Sequence, residues 1–120
     1  MAQAMKIAIV DDEQDIGIMV SRFLEKEGFE ASYENRITQA RTRIEEDHFH
    51  VFFLDLNLPD GTGFDLIPAI KQKNDAPRII VISAYDGLQE IKRADEMGVD
   101  LFIKKPFTRK QVIEAVDGVK

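Results

Sequence analysis

The order of apolar and polar segments predicts an α/β domain: a doubly wound parallel sheet of five strands, order 2-1-3-4-5, with five helices. Three observations carry this prediction. Short β-branched runs alternate about five times with segments whose apolar residues recur at helical spacing. The connections are short and contain no repeat or linker, so each helix crosses back over the sheet between parallel strands. The runs Lys6–Val10 and 51–54 are apolar without alternation, as strands covered by helices on both faces are. Right-handed crossovers leave few topologies, and 2-1-3-4-5 is one of the common doubly wound orders.

Each element follows from its own residues. Lys6-Ile7-Ala8-Ile9-Val10 is a strand that stops abruptly at Asp11-Asp12. Ile16, Val20, Phe23 and Leu24 recur at helical spacing through residues 14–27, and Gly28 supplies the stop. Ile18 and Met19 interrupt the polar side of this helix. Core packing accounts for Met19, whereas Ile18 turns away from the sheet. Residues 30–33 form a weak strand, and Ile37, Ala40 and Ile44 mark a second helix. Val51-Phe52-Phe53-Leu54 is a buried strand that ends on Asp55. Residues 56–63 are a loop rich in turn residues, followed by a helix carrying Phe64, Leu66, Ile67 and Ile70. Pro68 falls inside that helix, either in its first turn or at a kink. Residues 78–82 form the fourth strand, ending at Ser83, and residues 88–97 the fourth helix, closed by Gly98. Leu101-Phe102-Ile103 is the fifth strand, followed by Lys104-Lys105-Pro106, and residues 108–119 form the last helix.

Composition narrows the function. The chain has 120 residues, which suits one domain over 1–120, and its 16 basic against 22 acidic residues leave a net charge of −6. That balance argues against the domain itself gripping a nucleic-acid backbone. The absence of cysteine removes disulfides, thiolate zinc sites and cysteine nucleophiles, and it fits a reducing compartment. No apolar run approaches the roughly 18–20 residues that span a bilayer, and the first five residues lack the pattern of a secretion signal. A cytoplasmic location without membrane contact is expected.

The chemistry lies at the strand ends. Asp11 and Asp12 follow strand one, Asp55 strand three, Ser83 strand four and Lys105 strand five. In an open α/β sheet, ligands bind beyond the carboxyl ends of the strands where the strand order reverses, so these residues converge on one pocket. A single acid after a strand more often caps the following helix, but the whole set marks a site. Three close carboxylates repel one another unless a cation neutralises them. Few protein carboxylates, a backbone carbonyl and room for waters and a phosphate describe Mg²⁺, or Mn²⁺, better than an all-protein Ca²⁺ cage. Lys105 supplies a point charge for a phosphoryl oxygen, and Ser83 a hydroxyl. Together these form the apparatus of phosphoryl transfer onto aspartate. Two other motifs are matched poorly. As a Ca²⁺ loop, residues 55–61 place the glycine one position late, and Leu66 stands where the bidentate acid belongs. As a haloacid-dehalogenase-type phosphatase opening, Asp55-Leu56-Asn57 lacks the second acid, which leaves that reading a weak alternative.

With these residues in view, the chain resembles the receiver domain of bacterial two-component response regulators, with its flavodoxin-like fold, over essentially its whole length. The matching elements are Ile9-Val10-Asp11-Asp12-Glu13, residues 53–61 around Asp55, Val81-Ile82-Ser83-Ala84 and Lys105-Pro106-Phe107, in order and at the family's approximate spacing. The resemblance implies that Asp55 is phosphorylated. Asp12, Asp55 and the backbone carbonyl of Asn57 would bind Mg²⁺ directly, and Asp11 largely through water. Lys105 would pair with the phosphoryl group and Ser83 would move toward it. Phe102 would be the switch aromatic, without the hydroxyl of the tyrosine more common there, and the Lys105-Pro106 bond would be cis. Asn57 and Tyr85 would stand where side chains shield or admit hydrolytic water. The implied partner is a sensor histidine kinase or a histidine phosphotransfer protein. Around the pocket, Ile16, Ile18, Met19, Pro106 and Phe107 are candidate docking residues. The expected assembly is a monomer or weak dimer, because Ala115 replaces an arginine typical of the dimerising subfamily and Leu101 replaces an acid beside Asp100. The implied role is a phosphoacceptor switch that catalyses its own phosphorylation and dephosphorylation rather than a turnover enzyme. Its output is either relay or control of an effector. His48 and His50, at the turn before strand three, read as surface residues.

Overall fold

A computed structural model describes residues 5–73, 76–84 and 87–117. The elements run β1 (Lys6–Val10), α1 (Gln14–Lys26), β2 (Glu30–Glu34), α2 (Ile37–Glu46), β3 (Val51–Asp55), α3 (Ile67–Lys71), β4 (Arg78–Ser83), α4 (Leu88–Glu96), β5 (Leu101–Lys104) and α5 (Arg109–Asp117). One 3₁₀ turn, Gly63–Leu66, leads into α3. The strands form one parallel sheet in the order β2-β1-β3-β4-β5, the order expected.

The pleat divides the core in two, because successive strand residues point to opposite faces. Ile7, Ile9, Val51, Phe53, Ile80, Ile82 and Ile103 pack on one side with Val20 and Leu24 of α1 and Val112 and Val116 of α5. Ala8, Val10, Phe52, Leu54, Ile79 and Val81 pack on the other with residues of α2, α3 and α4. All five residues of β3, at the centre, are buried. Burying its four apolar residues, Val51, Phe52, Phe53 and Leu54, stabilises by roughly 1.5–3 kcal/mol per side chain, which makes β3 a rigid support for Asp55 at its end.

Two sequence expectations change in the folded chain. The third helix is not one element: Thr62 caps the 3₁₀ turn by accepting from the Phe64 N–H, while the Asp65 carboxylate accepts from the Thr62 N–H. Pro68 then sits in the first turn of α3, the first of its two expected placements, where its missing N–H breaks no helical bond. Met19, expected in the core, is 37% exposed beside Ile18 at 36%, because Gly17, Val20 and Leu24 take the buried face of α1. Residues 118–119 of the last predicted helix, and Tyr85, lie outside the described residues. No helix among the described residues is long and apolar enough to cross a membrane.

Candidate functional site

The parallel register aligns the strand ends: Val10 pairs with Leu54, Asp55 with Ile82 and Ser83 with Lys104. Asp11, Asp55, Ser83 and Lys105 therefore share one rim of the sheet. Asp11 and Ser83 are fully buried and Asp55 is 3% exposed, whereas Asp12 and Glu13 face solvent. Lys105 stands at the centre. Its Nζ lies 3.1 Å from Asp55 Oδ2, 3.0 Å from Asp11 Oδ2 and 2.9 Å from Glu13 Oε1. The Asn57 N–H donates to Asp55 Oδ1 at 3.2 Å, and the Glu13 N–H donates to Asp11 Oδ1 at 2.8 Å. The Lys105 N–H donates to the Ser83 carbonyl at 2.8 Å, and the Lys105-Pro106 bond is cis, as expected.

One lysine cannot neutralise this much negative charge. Asp11, Asp12, Glu13 and Asp55 each offer a carboxylate oxygen within 4.8 Å of the others. Burial first, then the Asp11 charge and contact with Asp12, push the Asp55 carboxyl up to about 7. Burial also raises Asp11, against the opposing pull of the Glu13 N–H and Lys105. Lys105 moves the other way. Burial disfavours its charge, but Glu13, Asp11 and Asp55 outweigh that and hold it above the usual lysine range. Asp11 Oδ2 is buried and accepts no hydrogen bond, its 3.0 Å approach to Lys105 Nζ being an ion pair outside hydrogen-bonding geometry. A buried, unsatisfied anionic oxygen beside three more carboxylates is a donor set that fits a hard divalent cation.

The residues singled out from sequence meet the structure unevenly. Asp11, Asp12, Asp55 and Lys105 come together. Ser83 is buried at the end of β4, one step past the register partner of Asp55. Asn57 is exposed immediately beyond β3. Phe102 is half-buried on β5 and packs on the α2–α3–α4 side of the sheet. Of the docking residues, Ile18, Met19 and Pro106 are exposed. Ile16 and Phe107 are half-buried and pack on the α1–α5 side, so core contacts occupy part of each. Asp100 is occupied within the chain, its carboxylate accepting from the Ile79 N–H at 2.8 Å. His48 and His50 are exposed, and His50 Nδ1 accepts from the Lys6 N–H at 2.9 Å.

Four contributors had not been singled out. Glu13 makes the shortest carboxylate contact to Lys105 Nζ, and its place beside the acid pair was the signal. Gly63 lets the loop close on β3, since a Cβ there would lie 2.3 Å from the Asp55 carbonyl oxygen. Tyr33 reaches the acidic loop from β2, with its phenol held above the ordinary value by burial and by the charges of Asp11, Asp12 and Glu34. Gly17 lies under the Tyr33 ring, and a glycine inside an otherwise regular helix is the trace it left in the sequence.

Comparison with known proteins agrees with this geometry. The chain is 30% identical over 115 residues to the swarming motility regulation protein RssB of Serratia marcescens, covering 96% of this chain and 52% of that protein. It is 28% identical over 111 residues to sporulation initiation phosphotransferase F of Bacillus subtilis, covering 92% of this chain and 90% of that one. The chain spans about half the length of several such relatives. Among solved structures, the non-phosphorylated HemR receiver domain of Leptospira biflexa superposes with a TM-score of 0.87 at 31% identity, over 96% of this chain and 93% of that one. The family model of the response regulator receiver domain matches residues 7–117, and the chain accordingly belongs to that family of aspartate phosphoacceptor switches of two-component systems.

Proposed function

We propose that Asp55 is the phosphoacceptor and that the donor is the phosphohistidine of a sensor histidine kinase or of a histidine phosphotransfer protein. The observation that carries this reading is Lys105 Nζ held 3.1 Å from a nearly buried Asp55 carboxylate, among the carboxylates of the acidic cluster. An Asp55 carboxylate oxygen attacks phosphorus in line with the leaving nitrogen. A P–O bond forms and the P–N bond breaks, the electron pair leaving on the imidazole nitrogen. Lys105 gives up part of its contact with Asp55 and Asp11 to pair with the incoming phosphoryl oxygens. Ser83 donates its hydroxyl to the same group. Asp12, Asp55 and the Asn57 carbonyl would hold Mg²⁺ or Mn²⁺, with Asp11 behind them, and the chemistry such an ion would supply is positive charge against the carboxylates and the phosphoryl group. The pull of the phosphoryl group on Ser83 is the change that Phe102 on β5 passes to the surface. Reset follows when water attacks the phosphorus of the acyl phosphate: a P–O bond to water forms, the P–O bond to Asp55 breaks, and inorganic phosphate leaves with Asp55 returned to a carboxylate.

The donor protein docks over the carboxyl ends of the strands, with Ile18, Met19 and Pro106 as its apolar contacts. Ile18 and Met19 line an open groove of about 770 Å³ along α1, with Arg22 and Phe23. The domain works in the cytoplasm as a monomer or weak dimer without nucleic-acid contacts of its own, as its charge of −6 favours. Intact-mass measurement after incubation with acetyl phosphate and Mg²⁺ tests the assignment. Wild type is expected to gain one phosphoryl group and Asp55→Asn none. Equal labelling of the variant removes Asp55 as acceptor.

A further inference from the structure

The Tyr33 hydroxyl donates a 2.8 Å hydrogen bond to the backbone carbonyl of Asp11. The Asp11 N–H in turn donates to the Glu34 carbonyl at 3.1 Å. Both peptide groups flanking Asp11 are therefore held by the end of β2, an edge strand that supplies no acid to the cluster. The register explains the reach: Ile9 pairs with Tyr33 and Val10 with Glu34, so β2 is still alongside where the chain leaves β1. The two held peptide planes set the direction in which Asp11 points into the core and from which the Asp12 side chain departs.

The place of the Tyr33 ring depends on Gly17. That glycine is buried within α1, where glycine is a poor helix former. A Cβ on it would lie 2.1, 2.3 and 2.6 Å from Tyr33 Cε1, Cδ1 and Cζ. Any side chain there would have to displace the ring, and with it the hydroxyl. We infer that Tyr33 is a positioning residue for the acidic site, orienting Asp11 and Asp12 through the Asp11 carbonyl, and that Gly17 is the residue that admits its ring. The inference rests on the reading of the cluster as a divalent-ion and phosphoryl site.

The test uses the full chain, with Mn²⁺ binding followed by electron paramagnetic resonance and phosphorylation by acetyl phosphate followed at varied Mg²⁺. Tyr33→Phe keeps the ring and removes only the hydroxyl. It is expected to weaken Mn²⁺ binding about threefold to tenfold, the range for one lost neutral hydrogen bond. It slows phosphorylation at limiting Mg²⁺, and the rate returns to within about twofold of wild type at saturating Mg²⁺, a recovery that general loosening of the fold would not produce. Gly17→Ala is expected to weaken Mn²⁺ binding in the wild-type background and to add no loss in a Tyr33→Ala background, because coupled residues are not additive. A Tyr33→Phe protein with wild-type Mn²⁺ affinity, or one whose rate loss persists at saturating Mg²⁺, overturns the role of Tyr33. Equal losses from Gly17→Ala in both backgrounds overturn the role of Gly17. Wild type that binds no Mn²⁺ overturns the metal-site reading itself, a result distinct from the others.

Discussion

At the scale of single residues, the site is a problem of charge. Asp55 is buried next to Asp11, and its carboxyl is pushed up to about 7. A carboxyl with a raised folded-state pKa favours the folded protein fully below its unfolded value, 3.8 for aspartate, and that advantage is lost as pH rises through about 7. In metal-free buffer, Asp55→Asn is therefore expected to raise the melting temperature, with a larger gain at pH 8 than at pH 5. Melts of both proteins across that range check it, and a gain independent of pH contradicts the account. A divalent ion held by the acidic cluster would act on the same repulsion from outside. A ligand at 100 times its dissociation constant stabilises by about 2.7 kcal/mol. Asp12→Ala is expected to lose most of the Mg²⁺-dependent rise in melting temperature while matching or exceeding the metal-free stability of wild type. An undiminished metal-induced rise would remove Asp12 as a ligand.

At the scale of elements, the loop between β3 and α3 is tied down from a distance. Helix α2 has no side-chain cap from its own N-cap residue, Arg36. Its first N–H groups are met instead by Asp60, whose carboxylate accepts from the Ile37 N–H at 2.8 Å and the Thr38 N–H at 3.2 Å. One residue thus satisfies the helix start and anchors the loop that carries Asn57. These bonds hold the Asp60 carboxyl below its ordinary value of 3.8. The depressed pKa stabilises the fold above about 3.8, and the contribution fades as pH falls through the lower folded value. Asp60→Ala is expected to lower the melting temperature by several degrees at pH 7, with the difference from wild type shrinking as the medium is acidified below pH 4. Identical melts at pH 7 would show that the cap contributes nothing.

At the scale of the molecule, the reactive rim and the outer face of α1 are adjacent but separable. On the proposed docking, a small donor would need only the pocket at the strand ends, whereas a donor protein would also cover the surface around it. Ile18 is 36% exposed on that surface and makes no part of either sheet-face cluster. Truncating an apolar anchor at an interface costs about 2 kcal/mol where the anchor is a hot spot. Ile18→Ala is accordingly expected to slow phosphotransfer from the cognate phosphohistidine protein by about tenfold or more and to leave phosphorylation by acetyl phosphate unchanged. Parallel time courses with the two donors decide this, and equal slowing places the damage in the pocket or the fold.

The sequence by itself determined the α/β class and the placement of Asp11, Asp12, Asp55 and Lys105 on one rim of the sheet. Those features are written locally. A buried parallel strand is a continuous apolar run, and a residue immediately after it must stand on the carboxyl rim whatever else the chain does. Tertiary structure alone decided which partners meet across the fold. Asp60 caps a helix that begins 23 residues before it, Tyr33 holds the carbonyl of Asp11 from the neighbouring strand, and Gly17 yields space to a ring on that strand. It also decided that Met19 faces solvent and that the third helix begins as a 3₁₀ turn. Hydrogen bonds and close contacts between distant segments leave no periodicity in the chain. They depend on register, crossover and helix rotation, which exist only once the sheet has formed.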